Sequence, residues 1–166
     1  MKTSFGIDKV YLTNLNEKEA IKKVVNDYIQ QNNLFASFSD NDEFFCYVIS
    51  DQEIGLDFQK IENVNYQDIV NYHFFENEKK FVDSLVKFHF LWSRKEALFK
   101  AINDKKSTIF SFSVIDYEQT INNKKYYLYT KPIQDKKENG YLISIASTKK
   151  DNNFQFTIDS SLLISK

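Results

Sequence analysis

The groups in this chain best placed to do chemistry are carboxylates and lysines. Trp92, Glu96 and Lys100 are spaced i, i+4, i+8, which stacks them along one face of a helix, with Lys95 beside Glu96 at its edge. On a solvated face this would be an ordinary Glu/Lys pair contributing roughly 0.2–0.5 kcal/mol to the helix. The neighbours argue for something else. Leu85, Val86, Phe88, Phe90, Leu91, Ala97, Leu98, Phe99 and Ile102 leave little of the helix free for plain solvent, and a carboxylate with two lysines on a mostly buried helix points to an anion and a metal. The second group is Asp57, which follows Gly55-Leu56 at the end of an apolar strand. A glycine there allows close backbone approach, and the carboxylate can point out of the sheet edge. Taken by itself, an Asp in that place is more often a turn former or a helix cap.

The elements that must position these groups are legible in outline. Asn16 and Glu19 have capping-box spacing, and Ala20, Ile21, Val24, Val25, Tyr28 and Ile29 recur with helical period, so a helix is expected from about Glu17 to Gln30. Glu43–Ser50 reads as a buried strand and Ile54–Gln59 as a second, shorter one, with a turn over 51–53 between them. Helical patterns follow over Tyr66–Phe75 and about Lys79–Ile102, with Asn77 placed to cap the later helix. The remainder is β-rich. Strands are expected over Thr108–Val114, Lys125–Thr130, Tyr141–Ser147 and Phe154–Ile158, with turns at Asn122-Asn123 and over Lys136–Gly140. Helices interleaved with a mainly antiparallel sheet give an α+β fold class.

Composition narrows the function. The formal net charge of −1, from 22 basic and 23 acidic residues among 166, offers no global positive field for nucleic acid or a membrane surface, so an anionic ligand must be held locally. One cysteine, Cys46, allows no intramolecular disulfide, and with His73 and His89 it has no zinc-site spacing. No segment approaches the ~20 apolar residues of a membrane span, and the first residues carry no apolar run of signal-peptide length. A reducing, cytoplasmic setting is the expectation. No Gly-rich phosphate loop is present, which disfavours a nucleotide-binding protein of the P-loop type. His89, between Phe88 and Phe90, reads as a packed helix residue, and His73 receives no role.

Two segments carry a family resemblance. Gly55-Leu56-Asp57-Phe58-Gln59 and Trp92-Ser93-Arg94-Lys95-Glu96-Ala97-Leu98-Phe99-Lys100, with 39 residues from Asp57 to Glu96, resemble the paired signature of the 4′-phosphopantetheinyl transferase superfamily. Phe74-Phe75 with Glu78 resembles an element that the family carries between them, and Ser111–Val114 and Gly140–Ser144 resemble its later strands, so the likeness covers about 43–147. It implies transfer of the phosphopantetheine arm of coenzyme A to a serine of an acyl or peptidyl carrier protein. It further implies Asp57 and Glu96 as Mg²⁺ ligands, Gln59 at the place of a third acid, Glu96 or a water that it orients as the group that takes the serine proton, and Lys95 with Lys100 as phosphate-binding cations.

The resemblance also shows departures. Residues 1–53 form a short first half before the motif-bearing 54–166, within one expected domain over 1–166 of the surfactin-synthetase-activating type. Ser37-Phe38-Ser39 stands where larger members have S-H-S, and no GKP loop is present, which leaves Lys22 or Lys23 as the available positive charge. The small, trimeric members begin near the first motif, so the length matches neither type and leaves the oligomeric state open. A non-catalytic relative that binds a carrier protein or nucleotide is the alternative function. Retention of Asp57, Glu96, Lys95 and Lys100 on two separated segments weighs against it.

Overall fold

The computed structural model describes residues 5–150 and 154–158. Its elements follow in the order β1 (Lys9–Asn14), a 3₁₀ turn (Leu15–Glu17), α1 (Lys18–Asn32), β2 (Phe35–Asp40), β3 (Phe44–Ser50), β4 (Ile54–Lys60), α2 (Gln67–His73), α3 (Glu76–Phe81), α4 (Leu85–Ile102), β5 (Glu118–Ile121), β6 (Lys124–Gln134), β7 (Gly140–Ser147) and β8 (Gln155–Ile158). The strands form two four-stranded sheets, ordered β2-β3-β1-β8 and β4-β7-β6-β5. All pairings are antiparallel except β1 with β8. The class is α+β, as the sequence indicates.

Strand alternation sorts the side chains into three apolar layers. Phe45, Tyr47 and Ile49 of β3 pack with Val25 of α1. Their alternates Phe44, Cys46 and Val48 face Leu56 and Phe58 of β4 and Tyr141, Ile143 and Ile145 of β7, forming the core between the sheets. On the far side of the second sheet, Leu128 and Ala146 meet Leu91, Ala97, Leu98 and Ala101 of α4. The order is therefore helix, sheet, sheet, helix.

The two sheets meet along the edges β2 and β4 through side chains. Ser37 Oγ accepts the Leu56 amide at 2.8 Å and Ser39 Oγ accepts the Phe58 amide at 2.9 Å. The Ser-Phe-Ser segment thus lies on a strand, and its two hydroxyls stand in for a backbone ladder that would otherwise leave buried amides unpaired. Phe38, pointing the other way, stacks on Phe45 with centroids 5.8 Å apart, and the Lys22 ammonium lies 5.7 Å from its ring centre.

Several boundaries differ from expectation for local reasons. Asn14 caps the 3₁₀ turn through the Asn16 amide, and α1 has no side-chain cap, so the Asn16–Glu19 box does not form. The long helix expected from Lys79 is broken over 82–84, and Ser84 caps α4 through the Lys87 amide. Thr108–Val114 is not a strand because side chains take its backbone groups. Lys95 Nζ donates to Phe112 O, Glu78 Oε1 accepts the Val114 amide, and Arg94 Nη1 donates to the carbonyls of Val114 and Ile115. Asn122 and Asn123 do form the β5–β6 turn, both with positive φ. No helix among the described residues is long and apolar enough to cross a membrane.

Candidate functional site

The site is built by one strand and one helix packed along their lengths. Gly55, Asp57 and Gln59 share the face of β4 that α4 covers. Two strand residues advance about 6.6 Å and four helix residues about 6 Å, so successive side chains on the two elements stay nearly in step. Gly55 is the point of closest approach. A Cβ there would lie 1.9 Å from the Ala97 carbonyl oxygen and 2.5 Å from the Ala101 amide nitrogen, so only glycine lets the helix seat. Asp57 then falls beside Lys100, with Nζ 3.7 Å from Oδ1, and Gln59 falls beside His89, with its Nε2 2.5 Å from Nδ1.

Asp57, Gln59 and Glu96 line one cleft of about 400 Å³, shared with His89, Trp92, Tyr141 and the turn after β2. Asp57 is 8% exposed. Ser39 Oγ lies 3.4 Å from its Oδ1, whereas Oδ2 is buried with no hydrogen-bond partner, as is Oε1 of Gln59. Burial pushes the Asp57 carboxyl above the usual carboxylate range, against the pull of Lys100 and of the Ser93 and Ser39 hydroxyls. Glu96 is raised too, first by burial and then by the charge of Asp57, with Lys100 opposing. Two carboxylates lifted together, with Oδ2 of Asp57 itself and Oε1 of Gln59 left without partners, form a site short of positive charge.

Hard oxygens of this kind suit Mg²⁺, which takes one or two carboxylates and completes its shell with water and phosphate oxygens. Among the described residues no three acids, histidines or cysteines converge, so a cation here would rest on Asp57, Glu96 and the Gln59 carbonyl. The residues present fit that ion.

The sequence profile of the 4′-phosphopantetheinyl transferase superfamily matches residues 53–155, more than half of the chain, and spans both β4 and α4. The chain belongs to this superfamily. A comparison with curated proteins finds no match. Phosphopantetheine transfer is thus the general chemistry of its family, and the cleft between β4 and α4 is where the segments 55–59 and 92–100 come together.

Of the residues expected at the site, Asp57, Gln59 and Glu96 line this cleft, Lys100 reaches Asp57 from the neighbouring cavity that it lines with Ser37 and Asn103, and Lys95 is not at the cleft. Consecutive helix residues point about 100° apart. Lys95 accordingly faces away from the cleft, where its ammonium pairs with Glu78 Oε2 at 2.8 Å, both side chains being 0% exposed. Phe74 and Phe75 flank it at 5.0 and 5.3 Å from their ring centres. The Phe-Phe-x-x-Glu element serves that buried pair, and a phosphate contact from Lys95 is not available in this arrangement. Lys100 is partly occupied as well, donating to Leu56 O at 2.8 Å and Phe38 O at 3.2 Å across the sheet seam.

Two contributors escape the motif pattern. His89 is buried and lines the cleft, and its spacing to Trp92, Glu96 and Lys100 continues their helix face, which is the signal that could have found it. The turn Asp40–Glu43 supplies the rim. No motif marks it, and only the β2–β3 pairing brings it there. His73 stacks on Phe110 at 4.5 Å, outside this cleft.

Proposed function

We propose that this chain transfers the 4′-phosphopantetheine arm of coenzyme A to a serine of an apo acyl or peptidyl carrier protein, with Mg²⁺ as the cofactor. The observation that carries the reading is the pair of buried, unpartnered oxygens, Asp57 Oδ2 and Gln59 Oε1, in the cleft that Glu96 also lines. Asp57, Glu96 and Gln59 would hold the divalent cation, which would supply positive charge against that of the coenzyme A pyrophosphate. Glu96, or a water that it orients, acts as base. The serine Oγ–P bond forms as the pyrophosphate P–O bond breaks. The serine proton passes to Glu96, and adenosine 3′,5′-bisphosphate leaves with the electron pair. Lys100, 31% exposed in its side chain, opposes the negative charge that accumulates. The setting is cytoplasmic.

A second reading is favoured by the rim. Asp40, Asp42, Glu43 and Glu62 line the cleft against one lysine, Lys60, a distribution that repels a polyanionic coenzyme. A relative that binds a carrier protein without transfer needs no coenzyme at this rim, whereas a nucleotide would meet the same repulsion. Incubating the full chain with coenzyme A, Mg²⁺ and apo-carrier proteins separates the two. A carrier mass increased by one phosphopantetheine supports transfer, and binding with no mass change supports the second reading.

A further inference from the structure

One wall of the cleft carries a buried group that the proposed reaction does not use. His89, 4% exposed, has Nε2 2.8 Å from the carbonyl oxygen of Glu62 and 3.3 Å from its amide nitrogen, while Nδ1 lies 2.5 Å from Gln59 Nε2. A neutral imidazole has one N–H and one lone pair. The Glu62 amide could only donate to Nε2 and the Glu62 carbonyl can only accept from it, so the two contacts exclude each other; the carbonyl's, at 2.8 against 3.3 Å, is the shorter and puts the proton on Nε2. Nδ1 is then an acceptor, and the donor it meets is the Gln59 amino group. With that end of the amide committed, the other end, Oε1, is left buried and unpartnered in the cleft of Asp57 and Glu96. The reversed amide would set acceptor against acceptor and leave the Nδ1 lone pair without a donor.

We infer that His89 is a positioning residue: relayed from the Glu62 carbonyl, it locks the Gln59 amide so that its oxygen, and not its nitrogen, is offered to the cation. This rests on the metal reading proposed above. It also gives a reason for the amide at 59. A carboxylate there would face the Nδ1 lone pair and would need either the imidazole proton moved to Nδ1, which strips Glu62 O of its donor, or a second proton on the ring. Gln59 and His89 are therefore a matched pair, one donor and one acceptor, and the third oxygen of the site comes without a third negative charge.

The test uses the full chain with Mn²⁺ as the probe, free Mn²⁺ being read by electron paramagnetic resonance, together with ¹⁵N spectra of the imidazoles. In the native chain the spectra should show Nε2 protonated and Nδ1 bare. His89→Leu should weaken Mn²⁺ binding roughly tenfold, the lower end of what outer partners of metal ligands contribute. His89→Asn, which returns an acceptor near the Nδ1 position, should recover most of it. In a Gln59→Leu background, itself weakened to a similar degree, His89→Leu should add nothing. A proton on Nδ1 overturns the inference, and this arm needs no variant to fold. Equal weakening with and without Gln59 reduces His89 to a packing role and overturns it too. If Asp57→Ala weakens Mn²⁺ while His89→Leu does not, the cation site stands and the positioning role falls. If Asp57→Ala changes nothing, both fall together.

Discussion

Lys95 and Glu78 form an ion pair 2.8 Å long in which neither side chain touches solvent. Glu78 also accepts the amides of Phe75 and Val114, and Lys95 also donates to Phe112 O, so every strong group has a partner. Breaking such a pair from one side leaves a buried charge uncompensated, at about 3–5 kcal/mol. Lys95→Met and Glu78→Gln should each lower denaturant stability by that order. If Lys95→Met instead left stability intact and only weakened coenzyme A binding, its place in the fold as described would be contradicted.

Asp57→Asn should stabilise the metal-free protein at neutral pH. The folded-state pKa of Asp57 and of Glu96 is raised above the unfolded value, so between the two values the folded chain binds more protons than the unfolded one. Stability from these groups is therefore full below about pH 4, the unfolded pKa, and falls as pH rises toward the folded value. The variant should escape that loss. We expect its melting temperature to exceed the native one by roughly 2–4 °C at pH 7.5, the shift produced by about 1 kcal/mol in a chain of this size, with the gap shrinking at pH 4.5. Mg²⁺ should raise the melting temperature of the native chain at pH 7.5 and leave that of the variant unchanged.

Lys100→Met tests the remaining cation. Loss of one charge contact made in the transition state lowers turnover by roughly 10²–10³. Transfer to an apo-carrier, followed by mass, should fall in that range. An unchanged rate would assign Lys100 to its two seam carbonyls alone.

Gly55→Ala should separate chemistry from motif content, because it alters no polar group. A methyl group 1.9 Å from Ala97 O forces α4 away from β4, moving Glu96 and His89 relative to Asp57 and Gln59. Both stability and Mn²⁺ affinity should drop, and a variant with native values of both would disprove the close seating.

Much of this site was readable in the residues because it rests on two local periodicities. Gly55 was understood as a close-approach glycine and Glu96 with Lys100 as one helix face, and α4 seats on the first and carries the second as expected. Lys95 shows where that reasoning ends. Its neighbour relation to Glu96 in sequence says nothing of the buried acid that claims it, since Glu78 lies on another helix and reaches it only through tertiary packing. The same holds for 108–114, whose apolar alternation suits a strand but whose backbone partners are side chains of α3 and α4. Strand β2 was hidden for a different reason: its polar, facing positions are serines that serve a seam, so its alternation does not read as a buried face. Gln59 appeared from the motif as a lost acid, and only the His89 contact shows what its amino group does.

The serine seam has a consequence for how the molecule keeps its alignment. Two strands joined by a backbone ladder can slide by two residues and pair again, since every rung is alike. β2 and β4 pair in full in one register only, because the rungs are two hydroxyls at fixed positions, Ser37 and Ser39, and a slip by two residues keeps one rung and leaves the Leu56 or the Phe58 amide facing Phe35 or Asn41. The junction behaves as a key with two teeth: it admits one register, and that register sets where Asp57, between the two latched amides, stands against the first sheet.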